Sequence, residues 1–171
     1  MKKMELSLLK ENVFDLIGKE WMLVTAGTSD CFNTMTASWG GIGFLWGKPV
    51  AFVFVRPERY THDFIEQHER LTLAFLGEAN RGVHKVCGSK SGRDTDKVKE
   101  AGLRPVETPT GAVTFTQARL TLECRKLYKA PITPEGILDV ETVSRWYNDQ
   151  PGGTYHDMYV VEIEQLYTGE E

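Results

Sequence analysis

The 171-residue chain has few cysteines: Cys31, Cys87 and Cys124 lie far apart, and none belongs to a CxxC or Cys/His zinc pattern. An odd, scattered set of cysteines excludes a disulfide framework and favours a reducing compartment. No stretch approaches the roughly 18 consecutive apolar residues of a membrane helix. The apolar start is interrupted at Glu5 and Lys10, which does not fit a signal peptide. We therefore expect a cytoplasmic protein without a membrane segment.

Positive charge is not in excess either, since 20 basic residues face 24 acidic ones and the formal net charge is −4. Non-specific binding to nucleic acid needs many cations against phosphates, so no nucleic-acid partner is expected. A local basic site for a small anion stays open. The four histidines show no HExxH motif and no cluster, so we expect no metal site. The length and the 41% hydrophobic content favour one globular domain over residues 1–171.

Apolar and β-branched runs predict about six strands with short helices between or after them. The strands are predicted over residues 21–26, 34–39, 49–55, 71–76, 117–128 and 155–167. Residues 49–55 and 71–76 are apolar on both faces and read as fully buried, whereas residues 117–128 alternate and read as half-exposed. The strands follow one another too closely for βαβ winding. A mainly β fold with short helices, an antiparallel barrel with helical insertions, fits better.

Helix signals are weaker and depend on single capping residues. Asn12 is a candidate N-cap for a helix ending at Gly18, and Pro57 suits the first turn of another. Asn80 and Asp94 are candidate caps for two later helices, and residues 140–146 are a further helical candidate.

A cluster of glycines at residues 40, 41, 43 and 47 raises the question of a dinucleotide site. The run does not match GxGxxG and no convincing helix follows it, so a Rossmann fingerprint is excluded. The simplest interpretation is a flexible loop. Residues 103–114, with two prolines and a glycine, are expected to be irregular.

The strand over residues 34–39 is unusually polar. One face carries Thr34, Thr36 and Ser38, and the other carries Met35, Ala37 and Trp39. Unpaired buried hydroxyls cost on the order of 1–3 kcal/mol, so the polar face does not belong in a dry core. Either this is an exposed edge strand, or the face lines a polar ligand such as a flat heteroaromatic ring.

Two segments are candidate anion sites. In the first, Arg56, Arg59, Tyr60 and Thr61 join a buried strand to a predicted helix start, where free N–H groups, one or two arginines and the Thr61 hydroxyl favour a phosphate. The second, residues 89–93, offers two hydroxyls and two cations around a glycine. Both segments are equally compatible with solvated surface, and the second is not a P-loop.

The order of four segments resembles the flavin reductase-like proteins of the flavoredoxin type. They are NTMTASWGGIGFLWGKP, VRPERYTHDFI, CGSKSGRDTDKVKEAGL and YHDMYVVEIEQLY. The resemblance covers about residues 13–167 and depends on the order and spacing of the segments. It implies an FMN-binding split β-barrel, antiparallel and Greek-key-like. It also implies a homodimer with FMN near the subunit interface.

The resemblance also assigns residues to the cofactor. The isoalloxazine ring is expected against the strand, largely through backbone groups, and the phosphate end against the first anion segment. The second segment is expected to reach the ribityl phosphate or the ring edge, with Arg93 nearby. The implied FMN-binding residues are Thr34, Met35, Thr36, Ala37, Ser38, Trp39, Arg56, Tyr60, Thr61, Ser89, Lys90 and Ser91. His156 and Trp46 are expected to flank the site.

The implied activity is that of an FMN-dependent oxidoreductase. Hydride passes from NAD(P)H to FMN, and electrons continue to a flavin, a small molecule or a partner protein. The flavin carries this chemistry, so no catalytic side chain is assigned, although Lys90 is a candidate to stabilise the reduced ring. The alternative is a non-enzymatic FMN electron carrier or flavin-binding protein without nicotinamide turnover.

Overall fold

The computed structural model describes residues 1–147 and 154–169, and its strands dominate the fold. The strands are β1 (Lys2–Met4), β2 (Met22–Thr28), β3 (Cys31–Ala37), β4 (Gly40–Leu45), β5 (Lys48–Val55), β6 (Arg70–Phe75), β7 (Pro105–Glu107), β8 (Val113–Phe115), β9 (Leu120–Pro131) and β10 (Asp157–Thr168). The α-helices are α1 (Val13–Asp15), α2 (Tyr60–Gln67), α3 (Gly82–Ser89), α4 (Lys97–Glu100) and α5 (Val140–Trp146). A π-helical turn (Leu16–Glu20) and short 3-10 turns (Leu6–Leu8, Glu78–Asn80, Pro134–Gly136) complete the described elements.

Eight strands form one antiparallel sheet in the order β3-β2-β6-β9-β10-β5-β4, with β1 added to β10. β7 and β8 form a separate hairpin. The predicted mainly β, antiparallel fold with short helices is therefore confirmed. β10 carries two register shifts against β9, which is how bulges bend and twist a long strand.

Both faces of β2 are buried, and this explains its apolar sequence. Met22, Val24 and Ala26 face the larger core cluster, whereas Leu23 on the opposite face belongs to a second cluster. The second cluster includes residues from α3 and β8, so the sheet is covered from outside. A strand with two covered faces shows continuous apolar residues rather than alternation.

The glycine-rich segment is not the flexible loop that we expected. It forms β4, which pairs with β5 from Gly40↔Val53 to Leu45↔Lys48. A Cβ on Gly40 would lie 2.6 Å from the Phe52 carbonyl oxygen, so only glycine permits this approach. Trp46 and Gly47 both have positive φ, as a two-residue hairpin turn requires.

Two predictions around β9 are also wrong. The irregular segment 103–114 contains β7 and the start of β8, and this hairpin covers the first half of β9. Thr121 is therefore buried and bonds the Thr114 hydroxyl at 2.9 Å, and Glu123 is buried as well. The polar face of β9 is half-exposed only beyond Cys124, because the β7–β8 hairpin covers the rest. The alternation of polar and apolar residues in β9 does not reveal this covering layer.

One face of β5 is buried from Ala51 to Val55, whereas on the other face only Val50 is buried. Phe52 and Phe54 are partly exposed, although the apolar run predicted a fully buried strand. β6 is buried over most of its length, as expected.

The helix predictions are partly confirmed. Asn12 caps α1 through Phe14 N and Asp15 N, and α5 occupies residues 140–146 as predicted. Gly18 does not end the first helix, because the chain continues helically to Glu20.

The other predicted helix starts are shifted. α2 begins at Tyr60, after Pro57, and the side chain of Asn80 bonds the Leu76 carbonyl instead of capping α3. Asp96 rather than Asp94 caps α4.

Candidate functional site

A cavity of about 190 Å³, here called the β3 cavity, opens where the ends of β3 and β5 meet the residue before β10. Its lining residues are Met35, Thr36, Ala37, Ser38, Trp39, Phe54, Arg56, Arg59 and His156. Six of these nine were predicted from the sequence as cofactor residues. A neighbouring aromatic pocket of about 310 Å³ shares Trp39, Phe54 and His156 with it. The remaining lining residues of the aromatic pocket are Ile132, Thr142, Trp146 and Tyr147.

The hydroxyls of β3 are already occupied by protein partners. Thr34 is fully buried and bonds Thr25 at 2.8 Å, so it contributes to the core rather than to the cavity wall. Thr36 Oγ1 lies 3.1 Å from His84 Nδ1 and donates to the His84 carbonyl at 3.3 Å. In the described sheet β3 pairs only with β2. Its other edge offers backbone N–H and C=O groups, which is what a flat ring with edge donors and acceptors needs.

The hydroxyl of Thr36 determines which ring nitrogen of His84 carries the proton. Because the hydroxyl of Thr36 donates to the backbone carbonyl, the neutral ring donates from Nδ1–H, and the buried Nε2 has no partner among the described residues. Burial and the nearby Arg81 lower the pKa of His84, so the ring stays neutral at pH 7.

Arg56 is bound to carbonyl groups of the protein. Its guanidinium donates to Thr154 O at 2.9 Å and to Trp146 O at 2.8 Å, and it lies 5.2 Å from the Tyr147 ring centre. Arg56 thus ties the end of α5 and the residues before β10 to the end of β5. It lines the β3 cavity, but its donors serve mainly to hold the cavity wall.

Arg59 and Lys97 meet at the carboxyl end of α3. Arg59 donates to Cys87 O at 3.4 Å and Gly88 O at 3.2 Å, and Lys97 donates to Lys90 O at 3.3 Å. Neither forms an ion pair with any carboxylate among the described residues, although Lys97 is only 3% exposed. Burial lowers the pKa of Arg59, and burial and Arg59 lower the pKa of Lys97 to about 8. The molecule therefore holds two cations close together without an ion-pair partner among the described residues, although Glu58 is near enough to act on Arg59 electrostatically.

The predicted anion segments lie side by side. Arg93 donates to Glu58 O at 3.0 Å and pairs with Asp63, and its guanidinium lies 4.6 Å from the Tyr60 ring centre. Thr61 is fully buried and accepts a hydrogen bond from Asn33 Nδ2 at 2.7 Å.

The side chains of the second segment have partners as well. Ser89 Oγ donates to Lys85 O, Lys90 pairs with Glu100, and Ser91 Oγ accepts from Arg93 N. None of these three residues, nor Tyr60 or Thr61, lines the β3 cavity. Their predicted contact with a cofactor stays a prediction.

Trp46 lies at the β4–β5 turn and packs edge-on against Tyr128, with ring centres 6.2 Å apart. It is not part of the β3 cavity wall, and its predicted flanking role also stays a prediction.

Sequence reasoning missed three residues of this region, Phe54, Lys97 and Tyr147, and it did not include Arg59 among the cofactor residues, although Arg59 lies in the first anion segment. Arg59 and Lys97 stand inside segments that were singled out, but nothing local distinguishes them from surface cations. Phe54 gave no signal, because an aromatic residue in an apolar strand predicts burial. Tyr147 pairs with His156, and that contact forms only when α5 and β10 come together.

The fold and the β3 cavity define a class of protein, an antiparallel β domain with a small cavity at the ends of its strands. The family model described as "Flavin reductase like domain" matches residues 14–171. The chain belongs to this family. No curated protein matches the chain.

Solved structures of similar fold include a flavoredoxin from Desulfovibrio vulgaris, 21% identical over 98% of this chain and 78% of the other, with TM-score 0.68. An FMN-binding protein from Thermus thermophilus is 18% identical over 99% and 83%, with TM-score 0.69. An NADH:FAD oxidoreductase from Streptomyces globisporus is 15% identical over 87% and 75%, with TM-score 0.63. Such identities establish the shared fold. Among the described residues, no helix is long and apolar enough to cross a membrane.

Proposed function

We propose that this protein is an FMN-binding oxidoreductase that takes hydride from NAD(P)H and passes electrons to a flavin, a small molecule or a protein. The observation that carries the proposal is the pair Arg59 and Lys97. Two cations near each other, held among the described residues by carbonyl groups alone, favour an anionic ligand such as the phosphate of FMN. Arg59 also lines the β3 cavity, so one ligand can reach both features.

We place the flavin ring against β3, with Thr36, Ala37, Ser38 and Trp39 contributing mainly backbone groups. The hydroxyl of Thr36 is already hydrogen-bonded to His84, which supports a contact through the backbone instead. When bound, the ring supplies the redox chemistry, and the protein holds it and limits its contact with water.

We place the phosphate near Arg59 and Lys97. The residues first predicted for this role, Arg56, Thr61 and the segment 89–91, are held by protein partners. Arg56 remains in our proposal as a wall residue of the cavity.

The first experiment is a visible absorption spectrum of the purified protein, repeated anaerobically after NADH and after NADPH. A flavin spectrum that bleaches promptly supports the reductase. A flavin spectrum that persists until dithionite is added favours the electron carrier or flavin-binding alternative. If no flavin is present and added FMN is not taken up, the proposal is wrong.

We further propose that the protein is a homodimer with FMN near the interface, in the cytoplasm. An apolar groove of about 770 Å³ runs from Asn12–Gly18 to Ser38–Ile42 and reaches the β3 cavity through Ser38 and Trp39. Phe14 at its rim is 87% exposed. A ring this exposed beside an apolar groove suits a second copy that offers the same ring in return.

Sedimentation velocity tests the dimer. Phe14→Asp is expected to give monomers and to release FMN, whereas Phe44→Asp, another exposed aromatic outside the groove, is the matched control. A Phe14→Asp monomer that retains FMN would contradict a site at the interface.

A further inference from the structure

The aromatic pocket beside the β3 cavity is built from rings at three places in the chain: Trp39 between β3 and β4, Trp146 at the end of α5, and His156 just before β10. The Trp39 ring lies 4.9 Å from the Trp146 ring, nearly perpendicular to it, and 5.2 Å from the His156 ring. Tyr147 stacks on Tyr155 with centres 4.4 Å apart. The volume of about 310 Å³ is near the lower end for small-molecule pockets and suits one or two fused rings.

His156 presents a defined hydrogen-bonding group to this pocket. The Tyr147 hydroxyl lies 2.9 Å from His156 Nδ1 and has no other hydrogen-bond partner among the described residues. If Nδ1 carried the proton, the tyrosine O–H would have no acceptor among the described residues. The hydroxyl therefore donates to Nδ1, and the proton of the ring is on Nε2. His156 Nε2 bonds no described residue, so it is a free donor.

Burial and Arg56 lower the pKa of His156 to about 4. The ring is neutral at pH 7, which fits a fixed tautomer with a single donor.

The polarity of the pocket defines the complementary ligand. Indole faces are electron-rich and pack well on electron-poor rings. A ligand that also carries an oxygen in the plane of its ring can accept from Nε2–H. Arg56, which lies over the Tyr147 ring, adds positive potential on the same side.

We propose that the aromatic pocket binds a small 1,4-quinone, with its ring against Trp39 and Trp146 and one carbonyl oxygen accepting from His156 Nε2–H. Binding does not require the proposed function, and only the reaction that follows rests on it. In that reaction the quinone takes two electrons and one proton as hydride from the reduced flavin and a second proton from water. The products are the hydroquinone and the oxidised flavin. The Nε2–H donor stabilises the charge that develops on the quinone oxygen.

Duroquinone is the probe, because its ring is fully substituted and the exposed Cys31 thiol cannot add to it. Its binding is measured by quenching of tryptophan fluorescence, with FMN-free and FMN-loaded protein. Infrared difference spectroscopy measures the carbonyl stretch of the bound quinone. We expect saturable binding in at least one form and a carbonyl stretch shifted to lower frequency.

The decisive variant is His156→Phe, which keeps a flat ring and removes the donor. We expect about tenfold weaker binding and loss of the infrared shift. Tyr147→Phe removes the hydroxyl that fixes the His156 tautomer, so it should weaken the infrared shift. Tyr128→Phe lies outside the pocket and should change neither duroquinone binding nor the infrared shift. Thermal unfolding checks that each variant folds.

The inference is overturned if wild-type protein binds no duroquinone in either form, or if His156→Phe keeps the full shift. FMN uptake is measured separately through flavin fluorescence. Protein that binds FMN but not duroquinone contradicts this inference alone. Protein that binds duroquinone but not FMN contradicts the proposed function alone.

Discussion

Two regions of the molecule differ in whether their cationic side chains form ion pairs with carboxylates. On the outer face of β9 and β10, Arg125 donates to Glu162 at 2.6 Å and to Glu164 at 2.9 Å, and Arg70 also donates to Glu164. The pKa of Arg125 is raised, chiefly by its hydrogen bond to Glu162, and the pKa of Glu162 is lowered, chiefly by its hydrogen bond to Lys48. Each charge there has its partner within the chain.

At the carboxyl end of α3 the pattern is reversed. Among the described residues, Arg59 and Lys97 donate only to carbonyl oxygens, and the pKa of each is lowered, chiefly by burial. A buried charge without an ion-pair partner costs free energy, and here buried Lys97 lies beside half-buried Arg59, so we infer that an anion from outside binds them. We propose that the contrast separates cations that stabilise the fold from cations that bind an anionic ligand.

The largest effect is expected from removing the unpaired cations. Lys97→Met combined with Arg59→Met should weaken FMN binding by about 3–6 kcal/mol, roughly 10²- to 10⁴-fold, because hydrogen bonds to charged groups contribute about 1.5–3 kcal/mol each. Riboflavin, which lacks the phosphate, should lose little. Both affinities are measured by quenching of flavin fluorescence. Equal losses for the two flavins would contradict the phosphate assignment.

In the FMN-free protein, the free-energy cost of burying the charge of Lys97 should make stability depend on pH. The pKa of Lys97 is about 8 in the folded chain against an ordinary value of 10.5. Between these values the unfolded chain binds more protons, so the free energy of unfolding should rise with pH from 8 to 10.5, by up to about 3 kcal/mol. Urea unfolding at pH 7.5 and pH 10 measures this rise.

Lys97→Met provides the control for that experiment. The variant should lose the rise, because it has no proton to exchange in this range. If wild type and variant show the same pH dependence, Lys97 is not the unpaired charge that we infer.

A smaller effect is expected at Arg56, which is neither tightly paired with carboxylates, as Arg125 is, nor without an ion-pair partner among the described residues, as Lys97 is. Its donors hold Trp146 O and Thr154 O, and a carboxylate of Glu58 lies 3.9 Å away. Arg56→Met should loosen the cavity wall and weaken FMN and riboflavin alike, by about 1 kcal/mol. A loss confined to FMN would return Arg56 to the phosphate site, where the sequence first placed it.

Much of the fold could be predicted because local patterns and burial agreed. β2 and β6 are apolar runs with two covered faces, and α5 follows a capping aspartate. β4, β7 and β8 could not be predicted in this way. The glycines of β4 lower its strand propensity, and it forms because β5 offers a partner and Phe52 packs over the space that the glycines leave.

The residues of the candidate site also differ in whether a local sequence pattern could reveal them. The polar strand could be recognised from Thr36 and Ser38, because hydroxyl groups on a strand must find partners. That Arg59 meets Lys97, or that Tyr147 meets His156, depends on contacts between elements distant in the chain. No spacing in the sequence records those contacts.

The smallest effect is expected where the cation is already paired. Arg119 bonds Glu20 at 2.9 Å and Glu11 at 2.9 Å and joins the segment before β2 to the start of β9, with its side chain 41% exposed. Partly exposed ion pairs contribute little, so Arg119→Met should lower the free energy of unfolding by about 0.5–1 kcal/mol, and less at high salt. FMN affinity should not change. If Arg119→Met weakened FMN binding as strongly as the change at Arg59 and Lys97, paired and unpaired cations would not differ in function, and the contrast between the two regions would fail.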